Sequence, residues 1–342
     1  MAPRRTAIVL CAALVALLAW AGCAGAPAGT GSQPARVATS PTAAPAVRFS
    51  VVGDIDWTDT SAAVLEGIAA RHDDLALAVG DLSYGAPGEE EQWCRFVTDR
   101  VGASYPFELL AGNHEDDDGP NGSIDAFRSC LPNRLPGLVG DYARQWYVDV
   151  PAERPVVRLV LISPALLLDG TTWSYDRGTE RYDWTRDAVR GARSAGIPWV
   201  VVGMHEPCLS VGVYDCAPGA DLLDLLVREG VDLVVSGHEH MYQRTAPLAL
   251  GPGCPAVVPG RYDAACVSED GGTTFVTVGT GGRTLRDAAT DDPEWPYFRA
   301  VSARDRDPAH GSLAVEVEPG RLTARFEPVG EGTFTDAFVL TR

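Results

Sequence analysis

The segment Val79-Gly80-Asp81-Leu82-Ser83-Tyr84 ends the apolar run Leu75 to Val79 with a glycine and a carboxylate, and a phenol follows three residues on. A buried strand that stops at a glycine and delivers polar groups from the next turn is how α/β proteins place chemistry at strand carboxyl ends. Gly-Asp is also ordinary turn chemistry. Recurrence decides between the two, and the pattern recurs.

Working outward, run 47–52 leads to Gly53-Asp54 and run 107–111 to Gly112-Asn113-His114-Glu115. Run 199–202 leads to Gly203-Met204-His205, run 231–236 to Gly237-His238-Glu239-His240, and run 275–278 to Gly279-Thr280-Gly281-Gly282. Helical spacing over 61–71, 89–101, 182–195 and 221–229 separates these strands, an alternation that predicts an α/β fold. Segments 146–150 and 156–162 read as further strands. Segments 312–317 and 322–326 flank Pro319-Gly320 as a terminal hairpin, and the Gly- and Pro-rich stretch 251–272 reads as a surface insertion.

With 342 residues and 46% apolar composition, the chain can bury a large core. It has no lysine, and its formal charge of -18 argues against a nucleic-acid surface. Such a surface also repels anions, so a phosphate-like substrate needs a local positive centre, with the distant charge screened over about 8 to 10 Å.

Residues 1–23 have the form of a secretory signal: Arg4 and Arg5, an apolar run 7–20, then small residues. Ala21-Gly22-Cys23 resembles the lipobox of bacterial lipoproteins, although Trp20 stands where leucine is usual. Cys23 is therefore a candidate for lipidation and membrane tethering, with free secretion the alternative. Residues 24–46, almost wholly Ala, Gly, Pro, Ser and Thr, read as a disordered tether spanning roughly 25 Å. Residues 47–342 remain as one domain, expected to be extracellular or at the cell surface. Six cysteines fall in it, which suits an oxidising compartment, and loop closure favours Cys94 with Cys130, Cys208 with Cys216, and Cys254 with Cys266.

Four of the six histidines, His114, His205, His238 and His240, follow predicted strands, as do Asp54, Asp81, Asn113 and Tyr84. That is too many ligands for one tetrahedral zinc, and it suits two metal ions about 3.5 to 4 Å apart that clamp a phosphoryl group.

The ordered set Gly53-Asp54, Gly80-Asp81-Leu82-Ser83-Tyr84, Gly112-Asn113-His114-Glu115, Met204-His205 and Gly237-His238-Glu239-His240 resembles the calcineurin-like metallophosphoesterases, and Tyr84 points further to purple acid phosphatases. The resemblance implies a four-layer α/β/β/α sandwich of two mixed sheets flanked by helices. It implies that Asp81 bridges two metals: Fe(III) held by Asp54, Tyr84 and His240, and Fe(II), Zn(II) or Mn(II) held by Asn113, His205 and His238. Hardness agrees, since a ferric ion favours carboxylate and phenolate while a divalent partner accepts imidazole and amide. Two such ions carry about +5 against about four anionic ligands, which leaves a local surplus near +1 for an anionic substrate. The implied reaction is hydrolysis of a small phosphate monoester by a metal-bound hydroxide, with His114 as the general acid.

Three further residues stand near this set. Asp56 replaces a usual glycine, and on an extended strand it would point to the same side as Asp54. Glu206 is expected to line the substrate side and Arg244 to make a structural ion pair. Two other readings are a divalent-metal phosphodiesterase or nucleotidase on the same fold, and a non-catalytic surface binding protein.

Overall fold

The computed structural model describes residues 46–342, so the expected signal, Cys23 and all but the last residue of the tether lie outside the described residues. From there the order is β1 (Val47–Val52), α1 (Asp59–Arg71), β2 (Leu75–Val79), α2 (Glu90–Val101), β3 (Phe107–Leu110), α3 (Ile124–Cys130), β4 (Val139–Asp141), β5 (Gln145–Val150) and β6 (Val157–Leu161). A short hairpin, β7 (Leu167–Leu168) and β8 (Thr171–Thr172), precedes α4 (Glu180–Ser194), β9 (Trp199–Gly203), α5 (Ala220–Arg228) and β10 (Leu233–Ser236). Next come β11 (Tyr242–Thr245), β12 (Thr274–Val278), β13 (Phe298–Ser302), β14 (Gly311–Glu318), β15 (Arg321–Pro328) and β16 (Ala337–Thr341).

Two mixed sheets result, a six-stranded one ordered β16-β15-β14-β1-β2-β3 and an eight-stranded one ordered β13-β11-β12-β10-β9-β6-β5-β4. The period of two along each strand sets the layering. In β2, Leu75, Leu77 and Val79 join Phe49, Val51, Leu159, Leu161, Val201 and Val235 in a core shared by both sheets. Ala76 and Ala78, on the opposite face, join the buried sides of α1 and α2, while Val200 and Val202 of β9 join those of α4 and α5. Strands buried on both faces read as continuous apolar runs, which is why those runs were visible in the sequence. The expected α/β/β/α sandwich is the observed fold.

Parallel pairing of β1 with β2 and β2 with β3, and of β6, β9, β10 and β12 in turn, points the carboxyl ends of each central group one way. The terminal hairpin forms as expected, and β14 lies antiparallel to β1. Helix α1 starts two residues before its apolar spacing does, because Thr58 and Ser61 form a reciprocal capping box. Helix α3, strands β4, β11, β13 and β16, and the β7–β8 hairpin were not anticipated; most are too short to show a period.

Disulfides join Cys94 to Cys130, Cys208 to Cys216 and Cys254 to Cys266. In the acidic run 115–118, Asp117 and Asp118 are exposed, while Glu115 is buried and Asp116 half-buried. Asp116 accepts the Leu167 N–H at 2.9 Å, and Asp117 accepts that of Gly170 at 2.7 Å.

Glu108 of β3 is fully buried, and its Oε2 has no hydrogen-bond partner among the described residues. Burial pushes its carboxyl from 4.5 up to about 7. With the folded value above the unfolded one, its favourable contribution is complete below about pH 4.5 and is lost as pH rises through 7. Glu108→Gln is therefore expected to be more stable than the parent at pH 8 by about 1–3 kcal/mol. Urea denaturation should show that gain vanishing at pH 4; an equal difference at both pH values would exclude the assignment.

Candidate metal centre

The loops that leave β1, β2, β3, β9 and β10 meet where the two central strand groups end. Asp54 N–H donates to the Gly80 carbonyl at 3.2 Å and Ile55 N–H to that of Asp81 at 2.9 Å, so the first two loops continue side by side. Gly53 N–H donates to the Val278 carbonyl at 2.9 Å, which ties the six-stranded sheet to the eight-stranded one. Glycine is required where side chains would collide. A Cβ on Gly80, whose φ is +90°, would strike the His205 ring, and one on Gly112 would strike the Asp81 carboxylate.

Seven expected ligands assemble into two donor groups that share Asp81. In one, His205 Nε2 lies 3.1 Å from Asp81 Oδ1, 3.1 Å from Asn113 Oδ1 and 3.2 Å from His238 Nδ1. In the other, the Tyr84 phenol oxygen lies 2.9 Å from Asp81 Oδ2, 3.1 Å from Asp54 Oδ1 and 3.0 Å from His240 Nε2. Two imidazole tautomers are set from behind. His205 Nδ1–H donates to the Val79 carbonyl at 2.9 Å and His240 Nδ1–H to that of Thr284 at 2.9 Å, which turns each Nε2 inward.

Lone pairs therefore crowd together, and one proton relieves only one contact. The single Tyr84 hydroxyl hydrogen cannot serve three acceptors at once. A cation among each group could, because donor atoms about 3 Å apart form the edges of a polyhedron with bonds of roughly 2.0–2.2 Å. Charge argues the same way: Asp54, Asp81 and Glu115 are all essentially inaccessible to solvent. Burial, reinforced by Asp81, raises the Asp54 carboxyl. Burial opposes ionisation of Asp81 too, but His205 and then His114 outweigh it and hold Asp81 below the usual range. Burial pulls His205 down, yet Asp81 raises it to about 10, marking a place where positive charge is favoured. Burial with the His205 charge lowers His238 to about 2, and burial with Arg286 lowers His240 to about 4, so both are neutral donors near pH 7. Burial, then Asp54 and Asp81, push the Tyr84 phenol far above its ordinary value, so its ionisation requires a cation.

His114 belongs to neither group. Its Nε2 is 3.6 Å from Asp81 Oδ2, its ring lies 4.4 Å from that of Tyr84, and its side chain is 24% exposed. Nδ1 is hydrogen-bonded to Asn121 Oδ1, and Asn121 is oriented by donating to the Gly85 carbonyl at 2.7 Å. Asp56 departs from the expectation that it shares a side with Asp54. The chain is not extended there, with φ at +56° and +65° for the two residues, and Asp56 turns to Arg283 at 3.0 Å. Glu206 is half-buried, and its Oε2 has no partner among the described residues. Arg244 forms a two-pronged pair with Asp336, at 2.6 and 2.9 Å.

Sequence reasoning gave no role to several residues. Glu115, although quoted within its motif, accepts the N–H groups of Asp81 at 3.0 Å, Leu82 at 2.7 Å and Gly112 at 3.0 Å. Glu239 accepts the Tyr214 N–H at 2.8 Å. Arg286 donates to the His238 carbonyl at 2.9 Å, and the Arg283 guanidinium lies 4.3 Å from the Tyr84 ring centre. Both arginines follow the glycine-rich turn after β12, the only signal for them in the sequence.

A cluster of metal-type ligands at converging strand ends of an α/β/β/α sandwich defines a metallophosphoesterase scaffold. Residues 47–242 match the family model for calcineurin-like phosphoesterases, and the chain belongs to that family. It is 26% identical over 291 residues to Fe(3+)-Zn(2+) purple acid phosphatase 12 of Arabidopsis thaliana, covering 78% of this chain and 57% of the relative. It is 26% identical over 278 residues to a purple acid phosphatase of Glycine max, covering 74% and 55%. The chain thus spans a little over half the length of these curated relatives. Among solved structures it is similar to purple acid phosphatase PPD1 from yellow lupin seeds, with a TM-score of 0.65 and 18% identity over 89% of this chain and 55% of the other. It also shares its fold with GAP50, the anchor in the inner membrane complex of Plasmodium, with a TM-score of 0.55 and 14% identity over 87% and 90%.

Glu115→Gln leaves one acceptor oxygen for three N–H groups and turns an amide against the rest. The expected loss is about 1–3 kcal/mol of stability, the cost of leaving a buried N–H without an acceptor. Because Asp81 belongs to both donor groups, metal content by elemental analysis should fall at both together; a fall at one alone, or none, would contradict the shared role.

Proposed function

We propose that the protein is an exported phosphatase with a binuclear metal centre that hydrolyses phosphate monoesters in the manner of purple acid phosphatases. The observation that carries this reading is the phenol oxygen of Tyr84 set among donor atoms of Asp54, Asp81 and His240. A phenol placed as a ligand favours a trivalent hard cation on that side. Asp54, Asp81, Tyr84 and His240 would hold Fe(III), and Asp81, Asn113, His205 and His238 would hold Fe(II), Zn(II) or Mn(II). When bound, the pair would supply Lewis acidity toward the phosphoryl oxygens and the attacking water.

The chain's own residues then have separate tasks. Asp81 fixes the spacing of the two donor groups through its two oxygens. His114, held at Nδ1 by Asn121, has Nε2 3.6 Å from Asp81 Oδ2, from where it would carry the proton given to the leaving oxygen. The ring contact with Tyr84 limits its swing.

Three disulfides favour maturation outside the cytoplasm. Mass spectrometry of protein recovered from an exporting host is expected to find an amino terminus at or near Cys23, acylated if the lipobox is used; an intact Met1 would refute export.

For the centre, visible absorption of the oxidised, metal-loaded protein should show a broad phenolate-to-iron band that disappears in Tyr84→Phe. A colourless yet active two-metal protein would instead indicate two divalent ions and reopen the phosphodiesterase reading. Two bound metals without turnover would favour a binding protein.

A further inference from the structure

Asn121 lies seven residues beyond His114, at the end of a loop that folds back on its own start. Asn121 N–H donates to the His114 carbonyl at 3.1 Å, Ile124 N–H to that of Glu115 at 3.1 Å, and Ser83 Oγ–H to that of Asn121 at 3.3 Å. Gly119 permits the closure, since a Cβ there would strike the His114 carbonyl oxygen. Just past the loop, Ser123 N–H donates to Glu90 Oε1 at 3.2 Å. A fixed backbone therefore delivers the half-buried Asn121 side chain to the His114 ring.

The orientation of the amide follows from its partners. The Gly85 carbonyl can only accept, so the amide atom 2.7 Å from it is Nδ2. That leaves Oδ1 against His114 Nδ1. A carbonyl oxygen can only accept, so Nδ1 is the nitrogen that carries a hydrogen. We propose that Asn121 is a positioning residue for the leaving-group step, which fixes the imidazole tautomer of His114 so that Nε2 alone exchanges protons with the ester. The Nδ1–H bond to Asn121 is the same before and after Nε2 gives up its proton, so the ring keeps its direction through the transfer. Without that acceptor the hydrogen is free to sit on either nitrogen, and the ring is held only by its contact with Tyr84.

This inference rests on the phosphatase reading with His114 as the acid, so turnover is paired with a spectrum that depends on neither. In the metal-loaded protein, kcat and KM are measured for ethyl phosphate, whose alkoxide needs a proton to depart, and for 4-nitrophenyl phosphate, whose phenolate does not. The proteins compared are the parent, Asn121→Ala, Asn121→Asp, His114→Ala and the double variant His114→Ala with Asn121→Ala. Asn121→Ala is expected to lose about tenfold in kcat on ethyl phosphate and less than about threefold on 4-nitrophenyl phosphate, with KM and metal content unchanged. Asn121→Asp, which keeps an acceptor for Nδ1–H, should restore the ratio between the two esters. In the His114→Ala background, Asn121→Ala should cost nothing further. Proton–nitrogen correlation spectra of the imidazoles in the zinc-loaded protein, with the His114 signals assigned by their loss in His114→Ala, should show the neutral ring as the Nδ1–H form in the parent and a mixture in Asn121→Ala. An equal loss on both esters accompanied by lost metal would make Asn121 a loop brace only and overturn the proposal. An unchanged tautomer in Asn121→Ala, or an additive loss in the double variant, would overturn it as well. If His114→Ala slows both esters alike, His114 is not the acid and the proposal falls with that role. If the parent hydrolyses neither ester, the phosphatase reading fails, and the spectrum alone upholds or overturns the tautomer assignment.

Discussion

The structure depends on where Asp81 is put. Its two carboxylate oxygens face different donor groups, 3.1 Å from His205 Nε2 on one side and 2.9 Å from the Tyr84 phenol on the other. A buried carboxylate is expensive unless it is paired, and this one accepts the His114 N–H at 3.1 Å beside its contacts with His205 and Tyr84. It stays there because β2 lies inside the sheet between β1 and β3, because Gly80 and Gly112 leave room, and because Glu115 binds the backbone on both sides of it. Remove any of these and the carboxylate has a cheaper direction in which to point.

Strain gathers in the same place. Asp54, Asp81, Tyr84 and His238 all have positive φ, between +50° and +68°, where side chains other than glycine are disfavoured. Each such residue costs of order 1–3 kcal/mol and persists only where its surroundings overdetermine it. The surroundings here are the strands themselves. Burying one large aliphatic side chain contributes about 1.5–3 kcal/mol, and the shared core between the sheets contains many. A rigid double sheet can therefore carry several strained turns at its edge, and those turns turn ligand side chains inward that an extended chain would point elsewhere.

That division explains what the sequence disclosed. Buried parallel strands are written as apolar runs, and their ends as glycines followed by ligand-type residues, so the strand–helix alternation could be read one element at a time, while the layering and the seven-donor set came from the family resemblance. Asp56 shows the limit. Period-two reasoning assumes extended backbone, but the strand has ended at Val52, and the left-handed turn sends Asp56 to Arg283, which is 227 residues away in sequence. Glu115, Glu239 and Tyr214 were hidden for a related reason: their partners are backbone groups or rings from other loops, and such contacts leave no local pattern. The three-residue edge strand β4 lacks the length to show one.

The surroundings of the donor groups also bear on how a chain with formal charge -18 could admit an anion. The acidic surface acts at a distance and is weakened by salt within about 8 to 10 Å. Close to the centre the balance differs, because the glycine-rich turn after β12 brings Arg283 and Arg286 to the rim beside Tyr84 and His238. Arg283 is committed to Asp56 and Arg286 to a backbone carbonyl, with Glu239 at 3.7 Å, so neither offers an uncompensated charge. On the proposed reading, attraction for a phosphoryl group would then come chiefly from cations held between the donors. The arginines are left to brace the turns that carry those donors.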